Sequence, residues 1–409
     1  MAEARPPVAA TGLGLVTPAG IGVEASWDGV LRGVSAAATD PALAGIPVDF
    51  SCAVPGFDAT EQLGRKLARR LDRFVQLALV AAREALTDSG LDPAGWDGAR
   101  IGVVLGTGMG GAATWEEQHK KLLGAGPGKV SPLLIPMLVP NMAAGQLGME
   151  FGALGPNLSV STACATGATA IGVARDLLLS GACDVAVAGG TEAGLTPLSI
   201  AGFAQMGALS KRTDDPGRAS RPFDVDRDGF VAGEGAGVVV LERVADARAR
   251  GASVHALVAG YGASADAHHA TAPDPKGRGA SLALRTALAD AGVGPSEVGH
   301  VNAHGTSTPL NDAAEARVVT DVIGDHVSVT SNKGVIGHTL GAAGAIEAAL
   351  TMLAVARGLV PPTANLDSQD PEIQLDVVTK APRDEPVEVA VSDSFGFGGQ
   401  NAVLTVTRP

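Results

Sequence analysis

Apolar and polar positions follow two rhythms along this chain. Predominantly apolar or β-branched runs at residues 100–106, 184–190 and 235–242 have the length of buried strands, whereas residues 166–180 are apolar nearly all round and too long for one. That segment predicts a helix held between sheets. From about residue 255 the alternation restarts: strands at 254–261, 298–303 and 402–407, helices at 278–291 and 341–357. Phe74, Leu77, Ala78, Ala81 and Ala85 recur at helical period, with Ser89-Gly90 as the stop signal and the basic run Arg65-Lys66-Leu67-Ala68-Arg69-Arg70-Leu71-Asp72-Arg73 at the start. Strands alternating with helices predict a layered α/β fold. No internal repeat is visible by identity.

The 409 residues, 46% of them hydrophobic, suffice for a core typical of large enzymes, which bury roughly 75% of the unfolded surface. Two halves of about 200 residues suit the usual domain size. Three cysteines, Cys52, Cys164 and Cys183, are no disulfide framework and favour a reducing compartment. The first residues lack a signal-peptide pattern, and no uninterrupted apolar run reaches the ~18 residues of a membrane span. A cytoplasmic protein is expected, with no membrane association. A formal charge of −13 argues against nucleic acid as a partner. Within that acidic chain the basic run at 65–73 stands out as a surface that would steer an acidic partner.

The chemistry centres on Cys164, in Ser159-Val160-Ser161-Thr162-Ala163-Cys164-Ala165-Thr166-Gly167. A β-branched stretch there gives way to a small-residue helix, which would aim the thiol at the helix's positive end. Such placement lowers a thiol pKa from about 8.5 into a range of roughly 3.5–7.5, so part of it would be thiolate at neutral pH. A lone cysteine ordinarily behaves as a small buried hydrophobe. Two histidines change that reading. His304 in His304-Gly305-Thr306-Ser307-Thr308-Pro309 and His338 in Ser331-Asn332-Lys333-Gly334-Val335-Ile336-Gly337-His338 each follow an apolar run and sit among glycines and small hydroxyl residues. One cysteine with separated histidines is a pattern of thiol nucleophilic catalysis. Asp312 and Glu315 would share one side of a helical turn, as structural contacts near the catalytic loop. Glu347 is a candidate ion partner for Lys333. Adjacent His268 and His269 point to opposite faces and lack metal-ligand spacing, so no metal is expected.

These three blocks, together with Ser220-Arg221-Pro222-Phe223-Asp224, Arg227-Asp228-Gly229-Phe230-Val231, Gly233-Glu234-Gly235-Ala236-Gly237 and Ser394-Phe395-Gly396-Phe397-Gly398-Gly399, resemble the signature blocks of β-ketoacyl-acyl-carrier-protein synthases, condensing enzymes of the thiolase superfamily. The resemblance implies a duplicated five-layered αβαβα thiolase fold with halves at 1–250 and 251–409. It implies decarboxylating condensation of malonyl-acyl-carrier protein with an acyl chain on Cys164, in type II polyketide or fatty acid biosynthesis. His304, His338 and Lys333 would complete the catalytic set. Phe397 would be a mobile gate whose N–H joins that of Cys164 as an oxyanion hole; Thr271, Thr306 and Thr308 would hold the pantetheine; Met109 and Phe203 would line the acyl pocket. Lys66, Arg69 and Arg212 would dock the carrier protein. No tightly bound cofactor is implied, because substrates arrive on the carrier's phosphopantetheine. A homodimer, or a heterodimer with a chain-length-factor-like homologue, would complete the pocket around residues 133–138.

The chain departs from the common pattern at Asn332-Lys333-Gly334-Val335-Ile336 and at Gln400, which points to a specialised synthase. Two other readings exist: a non-catalytic chain-length partner, which would lack the nucleophile, and a thiolase-fold acyltransferase or biosynthetic thiolase using free coenzyme A, of which thiolases typically carry a second cysteine late in the chain.

Overall fold

A computed structural model describes residues 5–409. Its framework is one mixed sheet built from β1 (Val8–Thr17), β2 (Ile101–Gly106), β3 (Asn157–Leu158), β4 (Val185–Glu192), β5 (Gly235–Arg243), β6 (Ala256–Ala265), β7 (His300–Asn302), β8 (Ser328–Thr330), β9 (Asp376–Val377), β10 (Val389–Gly396) and β11 (Gln400–Thr407), with Gly20–Ile21 folded back on β1. Five helices matter most: α1 (Arg73–Ser89), α2 (Thr166–Leu179), α3 (Arg278–Ala291), α4 (Pro309–Val322) and α5 (Ala343–Arg357).

The sheet is two copies of one pattern. Outward from the middle, the first half runs β1, β5, β4, β2, β3 and the second β6, β11, β10, β7, β8, with β9 added at the far edge. In both, the first two pairings are antiparallel and the next two parallel. The halves join only where residues 8–10 of β1 pair with 256–258 of β6. Helix α1 covers β1 and β5 on one outside, α3 covers β6 and β11 on the other, and α2 and α5 lie between, touching both halves. The αβαβα layering follows.

The duplication leaves a trace in sequence that identity alone conceals. In β1, Gly12 and Gly14 lie so close to α1 that an added Cβ would meet the carbonyl oxygens of Ala85 and Ala81 at 2.0 and 1.8 Å. In β6, Gly260 and Gly262 stand against the carbonyls of Ala287 and Ala283 at 2.1 and 2.0 Å. A Gly-x-Gly strand against an Ala-x-x-x-Ala helix is thus built twice, at matching places. The central helices repeat the device: Gly167 of α2 abuts Ala345 of α5, and Gly344 abuts Ala168.

Every residue of α5 from Ala343 to Val355 is buried. The stretch Leu340–Arg357 is apolar and long enough on average to cross a membrane, yet 89% of it lies inside the protein, and it carries Glu347. Its hydrophobicity belongs to the core between the sheets. One expectation needs correction. The basic run does not begin the amphipathic helix; Arg65–Ala68 is a separate four-residue helix, and α1 starts at Arg73. The break comes from Asp72, which accepts the N–H of Phe74 as a cap and is held buried by the Thr114 hydroxyl at 2.5 Å. Arg73 turns inward to a two-pronged pair with Glu234, both contacts at 2.6 Å.

Gly14→Ala and Gly262→Ala should each lower stability by roughly 1–3 kcal/mol, because a methyl has no room between strand and helix. Denaturant unfolding checks this, and two unperturbed midpoints would contradict the close approach.

Candidate active site

Cys164 lies in a tight turn, Ala163–Ala165, that leads from β3 into α2. Ala163 takes φ 49°, a conformation that costs a non-glycine residue energy. The Thr162 N–H donates to the Thr166 hydroxyl at 2.8 Å and steadies the turn. The thiol is buried, and the Phe397 N–H from the loop between β10 and β11 reaches its sulfur. Burial pushes the thiol up to about 11, while the Phe397 N–H and the charge of Lys333 pull it down. The expected resting thiolate is therefore corrected. Desolvation outweighs both of these pulls, so the thiol form is favoured at neutral pH.

His304 follows β7, and its N–H and that of Gly305 donate to the two oxygens of Glu315 at 2.6 and 2.7 Å. His338 follows the short helix Lys333–Ile336, where its N–H donates to the Val231 carbonyl at 2.7 Å. The two rings meet edge to face with centroids 5.3 Å apart, and a nitrogen of each lies within 4.8 Å of the other and of the Cys164 sulfur. Lys333 approaches His304 Nδ1 at 3.4 Å, and the Leu340 N–H approaches His338 Nδ1 at 3.3 Å. Both partners are donors, so each Nδ1 must accept and each proton sits on Nε2. Burial first, then the positive charge of Lys333, holds both imidazoles well below the usual histidine range. They are neutral N–H donors.

A cavity of 470 Å³ opens over this trio. It is lined by the sequence candidates Met109, Phe203, Thr271, Thr306, Thr308 and Phe397 as well as Cys164, His304 and His338. Thr306 and Thr308 share a hydroxyl contact at 2.9 Å, and Thr308 caps α4. Behind the histidines, Lys333 and Glu347 form a buried ion pair. Burial pushes Glu347 up to about 7 while Lys333 draws it back. Asp312 accepts the Phe223 N–H at 2.9 Å and faces Arg227, so both Asp312 and Glu315 hold backbone N–H groups. Lys66 and Arg69 lie exposed and outside the cavity, and Arg212 bonds the Asp226 carbonyl at 2.8 Å.

Two buried carboxylates escaped sequence reasoning. Glu192 closes β4 and accepts four hydrogen bonds; the only signal was its place after Gly189-Gly190-Thr191. Asp393 in β10 is fully buried with neither oxygen partnered among the described residues, and burial plus Glu315 push its carboxyl well up. Among the described residues, Cys164, His304 and His338 form the group whose donors are near enough to hold a metal ion. Three such donors fall one short of a closed zinc site, and each Nδ1 is already engaged. His269 spends Nδ1 on the N–H groups of Thr271 and Ala272.

Residues 5–247 match the family described as Beta-ketoacyl synthase, N-terminal domain, and residues 255–367 match Beta-ketoacyl synthase, C-terminal domain. The chain belongs to the β-ketoacyl synthase family. It is 46% identical over 408 residues to a 3-oxoacyl-[acyl-carrier-protein] synthase 2 of Synechocystis, and 44% identical over 408 residues to one of Vibrio cholerae. The alignments cover 98% of this chain in both cases, and 98% and 99% of those proteins. Among solved structures, the ishigamide ketosynthase/chain length factor superposes with a TM-score of 0.93 at 34% identity, covering 99% of this chain and 100% of that one. A type II PKS ketosynthase, described with its acyl-carrier protein and bound to the hexaketide, gives 0.92 at 32%, with the same coverage. Both sets span nearly the whole of this β-ketoacyl synthase, so the site lies within the shared fold.

With the thiol at about 11, alkylation of Cys164 by iodoacetamide should rise close to tenfold per pH unit from neutrality to about pH 9. Mass spectrometry of the peptide follows it. A rate already level near pH 7 would mean that a thiolate exists at rest.

Proposed function

We propose that this β-ketoacyl synthase joins an acyl chain held on Cys164 to malonyl-acyl-carrier protein, with loss of carbon dioxide, giving a 3-ketoacyl-acyl-carrier protein two carbons longer. One observation carries the reading: a buried thiol and two neutral imidazole N–H donors converge on one cavity. Cys164 attacks the carrier thioester, its proton leaves with the departing pantetheine thiol, and the N–H groups of Cys164 and Phe397 stabilise the oxyanion. Malonyl carrier then loses its carboxylate, the C–C electron pair becoming an enolate whose oxygen accepts from His304 and His338. The enolate carbon attacks the Cys164 thioester, the C–S bond breaks, and the released thiolate takes up a proton from water, the one proton the overall condensation consumes. Neutral histidines suit this role because they donate without having to give up charge.

The acyl chain enters between Met109 and Phe203, the pantetheine rests on Thr271, Thr306 and Thr308, and Phe397 gates the way. Lys333 sets the field at His304 and is balanced by Glu347. Lys66, Arg69 and Arg212 receive an acidic carrier protein, and no resident metal or tightly bound cofactor takes part. The full-length likeness to proteins named 3-oxoacyl-[acyl-carrier-protein] synthase 2 favours fatty acid elongation over polyketide extension. Cys164 argues against a non-catalytic chain-length partner. The position of the last cysteine, Cys183, argues against a thiolase. The halves divide near residue 250, and the protein works in the cytoplasm as a dimer. The exposed strand β3, with exposed Leu154, Leu158 and Met149 near it and the Leu134–Leu138 helix, forms the seam.

Intact-mass analysis with acyl carrier protein should show an acyl adduct on the wild type and none on Cys164→Ala. The His304→Ala, His338→Ala double variant should still acylate but release carbon dioxide from malonyl carrier at least about a hundredfold more slowly. An adduct on Cys164→Ala, or unchanged carbon dioxide release, would overturn the assignment.

A further inference from the structure

Glu192 is fully buried, faces no cation within ion-pair distance among the described residues, and nevertheless ties two separate segments to its own strand. Its Oε1 accepts the Thr107 hydroxyl at 2.8 Å and the Met109 N–H at 3.1 Å; its Oε2 accepts the Gly108 N–H at 2.7 Å and the Gly341 N–H at 3.1 Å. The first three donors belong to the loop that presents Met109 to the cavity. The fourth lies three residues beyond His338 and next to Leu340, whose own N–H fixes the His338 tautomer. There is no slack in this junction. A Cβ at Gly341 would stand 2.5 Å from the Gly108 nitrogen and 2.7 Å from Glu192 Oε2, and one at Gly108 would stand 2.7 Å from the same oxygen. The side chains above are joined as well, since Met109 fills the space over Gly194 and packs in one apolar cluster with Leu340.

We propose that Glu192 is a positioning residue that couples the acyl pocket to the decarboxylation site: through its carboxylate the Met109 loop and the His338 loop shift together. The inference rests on the condensation reading above. An acyl chain that displaces Met109 therefore changes the backbone that orients His338, and pocket occupancy is registered where malonyl carrier reacts. Both oxygens must accept for this to hold. Glu192→Gln replaces one oxygen by an NH₂ donor that faces N–H or O–H donors, which breaks one side of the clamp while conserving shape. It also removes a negative charge that raises the Cys164 thiol.

The test compares wild type, Glu192→Gln and the milder Thr107→Val with butyryl and dodecanoyl carrier protein. Acylation of Cys164 and the subsequent condensation are measured separately. In Glu192→Gln, condensation after acylation should fall at least about tenfold, and the ratio of dodecanoyl to butyryl rates should change by about threefold or more. Thr107→Val should move that ratio in the same direction by less. The midpoint of the Cys164 alkylation profile, followed to its plateau at high pH, should fall in Glu192→Gln by an amount equivalent to about a two- to fivefold faster rate near neutrality, whereas looser packing would raise the rate at every pH without moving the midpoint. Equal losses for both chains with an unchanged alkylation profile would overturn the coupling. If Glu192→Gln fails to fold, an unchanged ratio in Thr107→Val does the same. Failure of the wild type to condense either chain would instead remove the condensation reading, and the alkylation profile would still report on Glu192.

Discussion

A buried lysine sets the state of everything around it. Lys333 lies beside Glu347 and His304 with almost no exposure, and its charge is felt at both histidines and at the Cys164 sulfur. Near it a histidine cannot readily become a second cation, so burial and repulsion act in the same direction. At the thiol the same charge opposes burial and keeps the sulfur from being inert. One cation thus favours neutral donors at two positions and a retrievable nucleophile at the third. Glu347 makes its burial tolerable, since an unpaired ammonium in this core would be strongly disfavoured.

The duplicated fold explains how these groups meet although the chain separates them widely. Cys164 sits in the turn just before α2 of the first half, and Glu347 stands on α5, its counterpart in the second. The two helices cross where Gly167 and Gly344 let the backbones approach, so the beginning of one central helix faces the beginning of the other. His304 and His338 arrive on turns after β7 and β8. Two copies of one layered unit, packed through their middle helices, produce a site at the shared boundary.

Much of this was legible because it is periodic or chemically unusual. The uniformly apolar helix near 166–180 and the strands around 100–106, 184–190 and 235–242 appear within a few residues of their predicted places, since burial on all sides leaves little choice of residue. The Cys164, His304 and His338 blocks stood out by composition, and all three line one cavity. Strand β1 was missed although it lies at the centre of the sheet; its glycines and alanines dilute the strand signal because α1 packs almost onto its backbone. The Gly-x-Gly repeat in β1 and β6 was readable but short. The break before α1 depended on Asp72 finding Thr114, a long-range contact. Glu192 and Asp393 resemble surface carboxylates in sequence, and only the fold reveals that they are buried. The thiol's resting state was misjudged for the same reason: a helix start can be seen in sequence, whereas desolvation cannot.

The site works as described only if His304 and His338 rest as neutral imidazoles protonated on Nε2. Nitrogen-15 NMR of histidine-labelled protein between about pH 6 and 8, with His304→Asn and His338→Asn used for assignment, reads both charge and tautomer. Both rings should show Nε2–H signals that do not titrate across that interval. Either ring appearing as an imidazolium, or protonated on Nδ1, would contradict this resting state.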